Sequence, residues 1–336
     1  MRRLRRHHGR VAGLLVGPSL LVLLALAGPA RAADDDCPTW FPDISCDREV
    51  RPDGSVMPMS FPYLFEDPYI ASGLNFVGIW NEFPDDSALE GGQIGVMALQ
   101  FRLALTERLA FIATKDGLAF LDPDNQVLDS ETGFFNLGLG FKYAAWQWED
   151  GDRSAIVTPS LRYEIPSGQD KVFQGTEGNG LLIPAISAAY RAGNWHVIAA
   201  LGGNAALDDD KNSSNVFYNL HIDHAFPLEG DLVRFLVPFI ELNVIHWANS
   251  GDGSRRIDLK GGGSLPVGSI KSGFEGSDVI NFGNKGVQGN DYVTMAWGVR
   301  LPMQGGFDIG ASYERPLSNQ EDVTEQRVTL EITWEF

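Results

Sequence analysis

The chain of 336 residues has only two cysteines and only 26 basic residues against 44 acidic ones. Beyond position 32 it also has no apolar run of the about 18 residues that a membrane-crossing helix requires. Each shortage excludes something. Two cysteines cannot build a disulfide-dense miniprotein. The formal charge is −18, and the first 32 positions hold six arginines (Arg2, Arg3, Arg5, Arg6, Arg10, Arg31) and no acid. The remainder therefore carries 20 basic against 44 acidic residues, a balance of −24, the opposite of what an electrostatic nucleic-acid binder needs. A composition of 44% hydrophobic and 21% charged residues also excludes disordered and coiled-coil chains.

What is present begins with a secretory signal. Residues 1–32 run from a basic start through an apolar stretch, Val11 to Ala27, to Ala30-Arg31-Ala32, a small-x-small cleavage site that predicts a mature chain from Ala33. Gly17-Pro18 interrupts the stretch, which counts against a membrane anchor across about 30 Å of hydrocarbon. Cys37 follows Asp34-Asp35-Asp36, so a lipoprotein signal is not formed. Exported chains meet an oxidising compartment, and a Cys37–Cys46 disulfide is expected in a short periplasmic segment, 33–66. Without nearby histidines the pair does not read as zinc, and no other metal or cofactor is expected.

From residue 67 onward the pattern has period two, which sends alternate side chains to opposite faces of a strand. At the C-terminus Val328, Leu330, Ile332, Trp334 and Phe336 alternate with Arg327, Thr329, Glu331, Thr333 and Glu335. Phe135, Leu137, Leu139, Phe141 and Tyr143 alternate with small or polar residues, and Val157 to Ile165 repeats the pattern. Twelve strands are predicted, near 69–80, 92–105, 109–116, 133–148, 153–165, 181–191, 195–206, 214–226, 232–247, 291–303, 307–316 and 324–336. Short turns, such as Arg191-Ala192-Gly193-Asn194 and Gln304-Gly305-Gly306, take turns with long connections near 81–90, 117–132, 166–180, 207–213, 248–290 and 317–323.

An even strand count with all short turns at one end predicts an all-β, up-and-down antiparallel β-barrel of the outer membrane, with both termini periplasmic. Strands of roughly 9–14 residues suffice for a tilted crossing, and closure removes edges whose unpaired backbone lipid would penalise. Pro159, Pro184 and Pro238 fall inside strands and are expected to mark bulges or local irregularities. Asp278 to Phe282 is assigned to the long loop.

Two features then resemble known proteins. The ending in Trp334 and Phe336, with alternate apolar residues before it, resembles the signal by which the barrel-assembly machinery recognises outer-membrane barrels. Leu137-Gly-Leu-Gly-Phe-Lys-Tyr143, with Leu161-Arg-Tyr-Glu-Ile-Pro-Ser-Gly168 and the glycine-rich loop after it, resembles the outer-membrane proteins associated with the meta-pathway of phenol degradation. The similarity is strongest over 130–250 and does not cover 34–66. It implies a transport-type barrel for small solutes, hydrophobic or aromatic ones among them.

The predicted lumen face carries Gln100, Arg102, Lys142, Arg162, Glu164, Asp223, Glu241, Asn243, Arg300, Asp308, Glu314, Arg327 and Glu331. Charges of both signs fit either a polar channel or a lumen filled by cross-strand ion pairs. His221 and Asp223 share a face and raise the question of a general base. No nucleophile can be identified from spacing, and the His-x-Ser arrangement of outer-membrane phospholipase A is absent, so no catalytic residue is assigned. The glycines of 248–290 are not followed by Gly-Lys-Ser/Thr and make no phosphate loop. The apolar residues of that loop (Val267, Ile270, Phe274, Val279, Ile280, Phe282) suit either a constriction in the barrel mouth or a self-packed external loop. The acids of Asp122-Pro123-Asp124 and Asp208-Asp209-Asp210 do not follow the EF-hand order and read as solvated loops.

The sequence thus predicts a non-enzymatic outer-membrane channel or passive transporter whose partners are lipid, the assembly machinery and an unidentified small solute, with no nucleic acid. The rival readings are a structural or surface-interaction barrel with a plugged lumen, and an outer-membrane hydrolase.

Overall fold

The computed structural model describes residues 51–175 and 177–336. The signal sequence and the Cys37–Cys46 pairing lie outside the described residues. Twelve staves form the wall: β1 (Gly73–Glu82), β2 (Gly92–Ala104), β3 (Leu109–Lys115, continued by Leu118–Pro123), β4 (Glu131–Phe134, Leu137–Tyr143 and Trp146–Asp150), β5 (Arg153–Ile165) and β6 (Leu181–Ala192). They continue as β7 (Trp195–Ala206), β8 (Ser214–His224, extended by Phe226–Pro227), β9 (Phe235–Asn249), β10 (Asp291–Pro302), β11 (Phe307–Pro316) and β12 (Gln326–Glu335). Each pairs antiparallel with its sequence neighbours, and β1 pairs with β2 on one side and β12 on the other, from Gly73↔Glu335 to Glu82↔Gln326. The sheet therefore closes into a twelve-stranded antiparallel barrel, the architecture of outer-membrane barrels.

Alternation sorts the two faces as the sequence predicts, except at Phe135, which is buried under the Lys115 ammonium while Leu137, Phe141 and Tyr143 are exposed. In β12, Arg327, Thr329, Glu331 and Thr333 are buried while Leu330 and Trp334 are exposed. Met97, Phe141, Leu161, Tyr190, Ile240 and Trp297 belong to the same exposed apolar outer face, which in water would be a large liability and in lipid is a matching solvent.

Three local expectations change. The stretch 117–132 is half strand: Leu118–Pro123 pairs with β2 and Glu131–Phe134 pairs back on it. Asp116-Gly117 looks like a turn in sequence but is a bulge within β3. Gly117 has φ 112°, and Asp116 Oδ1 accepts the Leu99 N–H at 2.9 Å, replacing a lost ladder bond. Secondly, the three prolines differ. All sit on the outer face, opposite Ile186, Leu161 and Val299, and Pro184 and Pro238 keep a continuous register; Pro159 lies at an irregularity, because Lys142 to Trp146 of β4 runs one residue longer than its partners Ser160 to Val157. Thirdly, β1 starts at Gly73, not at 69.

That third change matters most. Residues 54–72 are all buried, and they lie inside the barrel. The sequence places 33–66 in a periplasmic segment; its residues from 54 onward are threaded into the lumen. Arg51 at its start and Asp67 near its end pair at 2.8 Å, and Arg51 also reaches Glu335 at the end of β12, 3.0 Å away. The segment therefore enters and leaves at the short-turn end. It rises along β9 and β10, turns at Phe61–Phe65 and descends along β2 to β6. The turn is closed by Leu64 N–H and Phe65 N–H, which donate to Phe61 O at 3.0 and 2.9 Å. Phe61 has φ 52°, a left-handed conformation unusual for a bulky residue.

Candidate functional site: a charged lumen and its internal plug

The sequence of the plug explains how it can sit there. Pro58, Pro62 and Pro68 recur through it, and proline disfavours any ladder while leaving a carbonyl free to accept. The wall supplies the donors. Gln100 Nε2 donates to Pro62 O at 2.6 Å, Thr158 Oγ1 to Pro68 O at 2.7 Å, and Arg300 Nη2 lies 3.5 Å from Pro58 O.

All thirteen residues assigned to the inner face point inward, and all but the partly accessible Asp308 are buried. Their partners divide into two groups. Some pair within the wall: Arg300 with Glu331 and, at 3.5 Å, Asp308; Arg327 with Glu314 at 3.5 Å; Glu164 with Lys115 at 2.7 Å. Others are completed only by the plug. Arg102 grips Glu66 through Nε and Nη2 at 3.0 and 2.7 Å, and Lys142 Nζ reaches the same carboxylate at 2.8 Å and Asp67 O at 2.7 Å. Arg162 donates to the carbonyls of Tyr63 and Leu64. On the opposite wall Glu241 accepts Met59 N–H at 2.8 Å, Ser60 N–H at 2.6 Å and the Ser60 hydroxyl, while Asn243 Nδ2 donates to Ser60 Oγ at 2.7 Å. Tyr63 OH donates to Glu164 at 2.8 Å.

The glycines of Leu137-Gly-Leu-Gly-Phe-Lys-Tyr143 acquire a physical reason here. A Cβ on Gly138 would sit 3.0 Å from the Tyr63 ring, and one on Gly140 would sit 2.0 Å from Leu161 O and 2.6 Å from Arg162 Cα. Both gaps make room, one for the plug and one for the neighbouring strand.

The other end of the lumen is closed by the long loop 250–290. Phe274, Ile280 and Phe282 join the apolar cluster that contains Phe61 and Tyr63 of the plug, and Phe282 packs on Phe173 with centroids 5.2 Å apart. The constriction alternative describes this part of the loop, whereas Ile270 stays 37% exposed. Glu275 anchors the loop by accepting the N–H groups of Gly276 and Asn284 at 2.9 and 3.1 Å and the Ser213 hydroxyl at 2.7 Å. Burial pushes its carboxyl above the usual range. At the short-turn end a cavity of about 200 Å³ remains beside the plug, lined by Arg51, Arg234, Asp308, Thr333 and Glu335 among others.

The His221–Asp223 pair is structural in its geometry. His221 Nε2 faces Asp223 Oδ2 at 2.9 Å and Nδ1 faces Glu241 Oε1 at 2.6 Å, while Asp223 Oδ1 holds His196 at 2.6 Å. Both ring nitrogens are taken by carboxylates, so neither is left to take a proton from a nucleophile. Among the described residues no group of three or more His, Cys, Asp or Glu side chains is arranged to hold a metal ion.

Sequence reasoning missed Lys115, His196, Asp278 and the entire plug. The recurring prolines and the Glu66-Asp67 pair inside an otherwise apolar stretch were the available signal. Trp334 and Phe336 lie on the outer face at the short-turn end, where Trp334 stacks on Phe307 at 5.7 Å.

No family model matches the chain, so the likeness to the phenol meta-pathway proteins rests on its motifs alone, and no curated protein matches by sequence. Solved structures with similar barrels include an outer membrane channel from Pseudomonas putida F1 (13% identity, 84% of this chain and 100% of that one, TM-score 0.47). The NanC porin (7% identity, 78% and 98%, TM-score 0.45) and the outer membrane protein OprD from Pseudomonas aeruginosa (10% identity, 84% and 97%, TM-score 0.37) are further ones. These likenesses are too distant to argue from; the reading of function stands on the lumen itself.

Proposed function

We propose that this chain is an outer-membrane channel for small solutes, closed at rest by its own segment 54–72 from the short-turn side and by part of the 248–290 loop from the other. The observation that carries the reading is the partnering of the inner face. A barrel with a permanently packed lumen would satisfy its inward charges across strands, as Arg300 and Glu331 do. Here Arg102, Lys142 and Arg162 find their carboxylate or carbonyl partners, and Glu241 most of its donors, in a segment that belongs to no strand of the wall. The contacts these four residues make are hydrogen bonds and ion pairs, which water can replace when the segment withdraws, while apolar packing such as Phe61 on Tyr292 favours the closed state. The exposed apolar outer face supports insertion in lipid, and the Trp334–Phe336 ending supports recognition by the assembly machinery. The short-turn end carrying both barrel termini then faces the periplasm.

Planar-bilayer conductance tests this reading on the full mature chain and on a chain lacking 54–66. Brief, infrequent openings in the former and a sustained larger conductance in the latter are expected. Absence of current in both would establish the rival reading of a structural, plugged barrel.

A further inference from the structure

The buried inward charges of β2 to β5 are unbalanced. Arg102, Lys115, Lys142 and Arg162 face the lumen against one carboxylate, Glu164, which is itself held by Lys115 at 2.7 Å. Arg102, Lys142 and Arg162 have no hydrogen bond to any wall carboxylate; the plug supplies what they lack. Glu66 sits in a planar fork from Arg102 (Nε to Oε1 3.0 Å, Nη2 to Oε2 2.7 Å), and Lys142 Nζ closes on Oε1 at 2.8 Å. Ser187 Oγ donates to the Glu66 carbonyl at 2.8 Å and holds the residue from a third side. Arg162, one step along β5 and paired in register with Gly140, binds only the carbonyls of Tyr63 and Leu64 and the Thr114 hydroxyl, with Nε unpartnered.

A two-point guanidinium grip with an added ammonium is the arrangement that recognises a carboxylate by shape as well as charge. Buried cations cannot be left bare, so whatever replaces the plug must bring an anion or a full hydration shell. We infer that Arg102 and Lys142, with Arg162 beside them, form a subsite for the carboxylate of a small organic acid, and that Glu66 occupies it as an internal stand-in while the lumen is closed. This rests on the channel reading above and deepens it. Solute and Glu66 compete for one site, so an acid that binds it shifts the barrel toward its unplugged state by its preference for that state alone.

The test uses potassium chloride current in planar bilayers through the full chain, through Glu66→Gln and through the chain lacking 54–66, with propionate and its neutral counterpart propionamide as probes. Propionate should block the unplugged channels at a concentration roughly tenfold below propionamide, the size of one charge-assisted pair, and should raise the opening frequency of the full chain where propionamide does not. Arg102→Lys keeps the charge and removes the fork, and should lose most of that difference; its folding is checked by heat-modifiable migration on gels. Equal block by the two probes in a conducting channel overturns the carboxylate subsite and leaves the channel standing. No current through any of the chains removes the channel reading itself.

Discussion

Arg327 of β12 places Nη1 2.9 Å from Asp278 Oδ1 of the long loop 250–290, with both side chains buried. The same guanidinium lies 5.9 Å over the Phe61 ring of the plug and 3.5 Å from Glu314 of β11. One side chain therefore touches the wall, the plug and the loop, and the two closures of the lumen meet there.

Replacing Arg327 by Met leaves Asp278 and Glu314 buried without their cation. A loss of about 3 kcal/mol is expected, the range for breaking a buried pair from one side, read as a lower temperature for loss of the compact form in detergent. Asp278→Asn should cost less, because Glu314 remains as a partner for Arg327.

Glu241→Gln should loosen the plug more than it weakens the barrel. The carboxylate accepts from Met59 N–H, Ser60 N–H, the Ser60 hydroxyl and His221, and an amide offers one acceptor oxygen where the carboxylate offers two. More frequent openings with unchanged strand content by circular dichroism are expected; unchanged gating would show that the plug is held elsewhere.

Gly140→Ala should prevent correct pairing of β4 with β5. The added Cβ would lie 2.0 Å from Leu161 O, a main-chain atom that cannot rotate away. Loss of the heat-modifiable folded band would register it, whereas Gly151→Ala, with nothing within 4 Å of its Cβ, places its strain only in a turn at φ 62° and should keep that band.

Docking of the long loop 250–290 should strengthen in mild acid. Burial raises the carboxyls of Glu275 and of Asp322, whose Oδ2 accepts Glu275 N–H at 2.9 Å. A carboxyl whose pKa is raised in the docked state binds more protons there than in the undocked state. Docking therefore gains as pH falls through that raised pKa and is weaker once both groups are ionised. Protease cleavage near Lys260, normalised to a model peptide at each pH, should slow on acidification, and Glu275→Gln should flatten the dependence. An unaltered slope in that variant would assign the effect to other groups.

Strand number and closure were legible because period-two alternation is a local consequence of strand geometry, and because short and long connections keep their order along the chain; the facing of Phe135 was not, since the alternation slips between Phe134 and Leu137. The Asp116-Gly117 bulge was not legible, since an Asp-Gly pair has the same appearance in a turn and in a kinked strand. Thus the sequence by itself determined a twelve-stranded barrel with an apolar exterior and a set of polar and charged residues on the alternate face, twelve of which are buried. Only the tertiary structure decided what those residues hold. Segment 54–72 has no alternation and no ladder, so nothing local marks it as interior. It is there because the closed wall encloses a volume lined with Arg102, Lys142, Arg162 and Glu241, whose buried charges require partners, and Glu66, the backbone of Met59 to Leu64 and Asp67 O supply them.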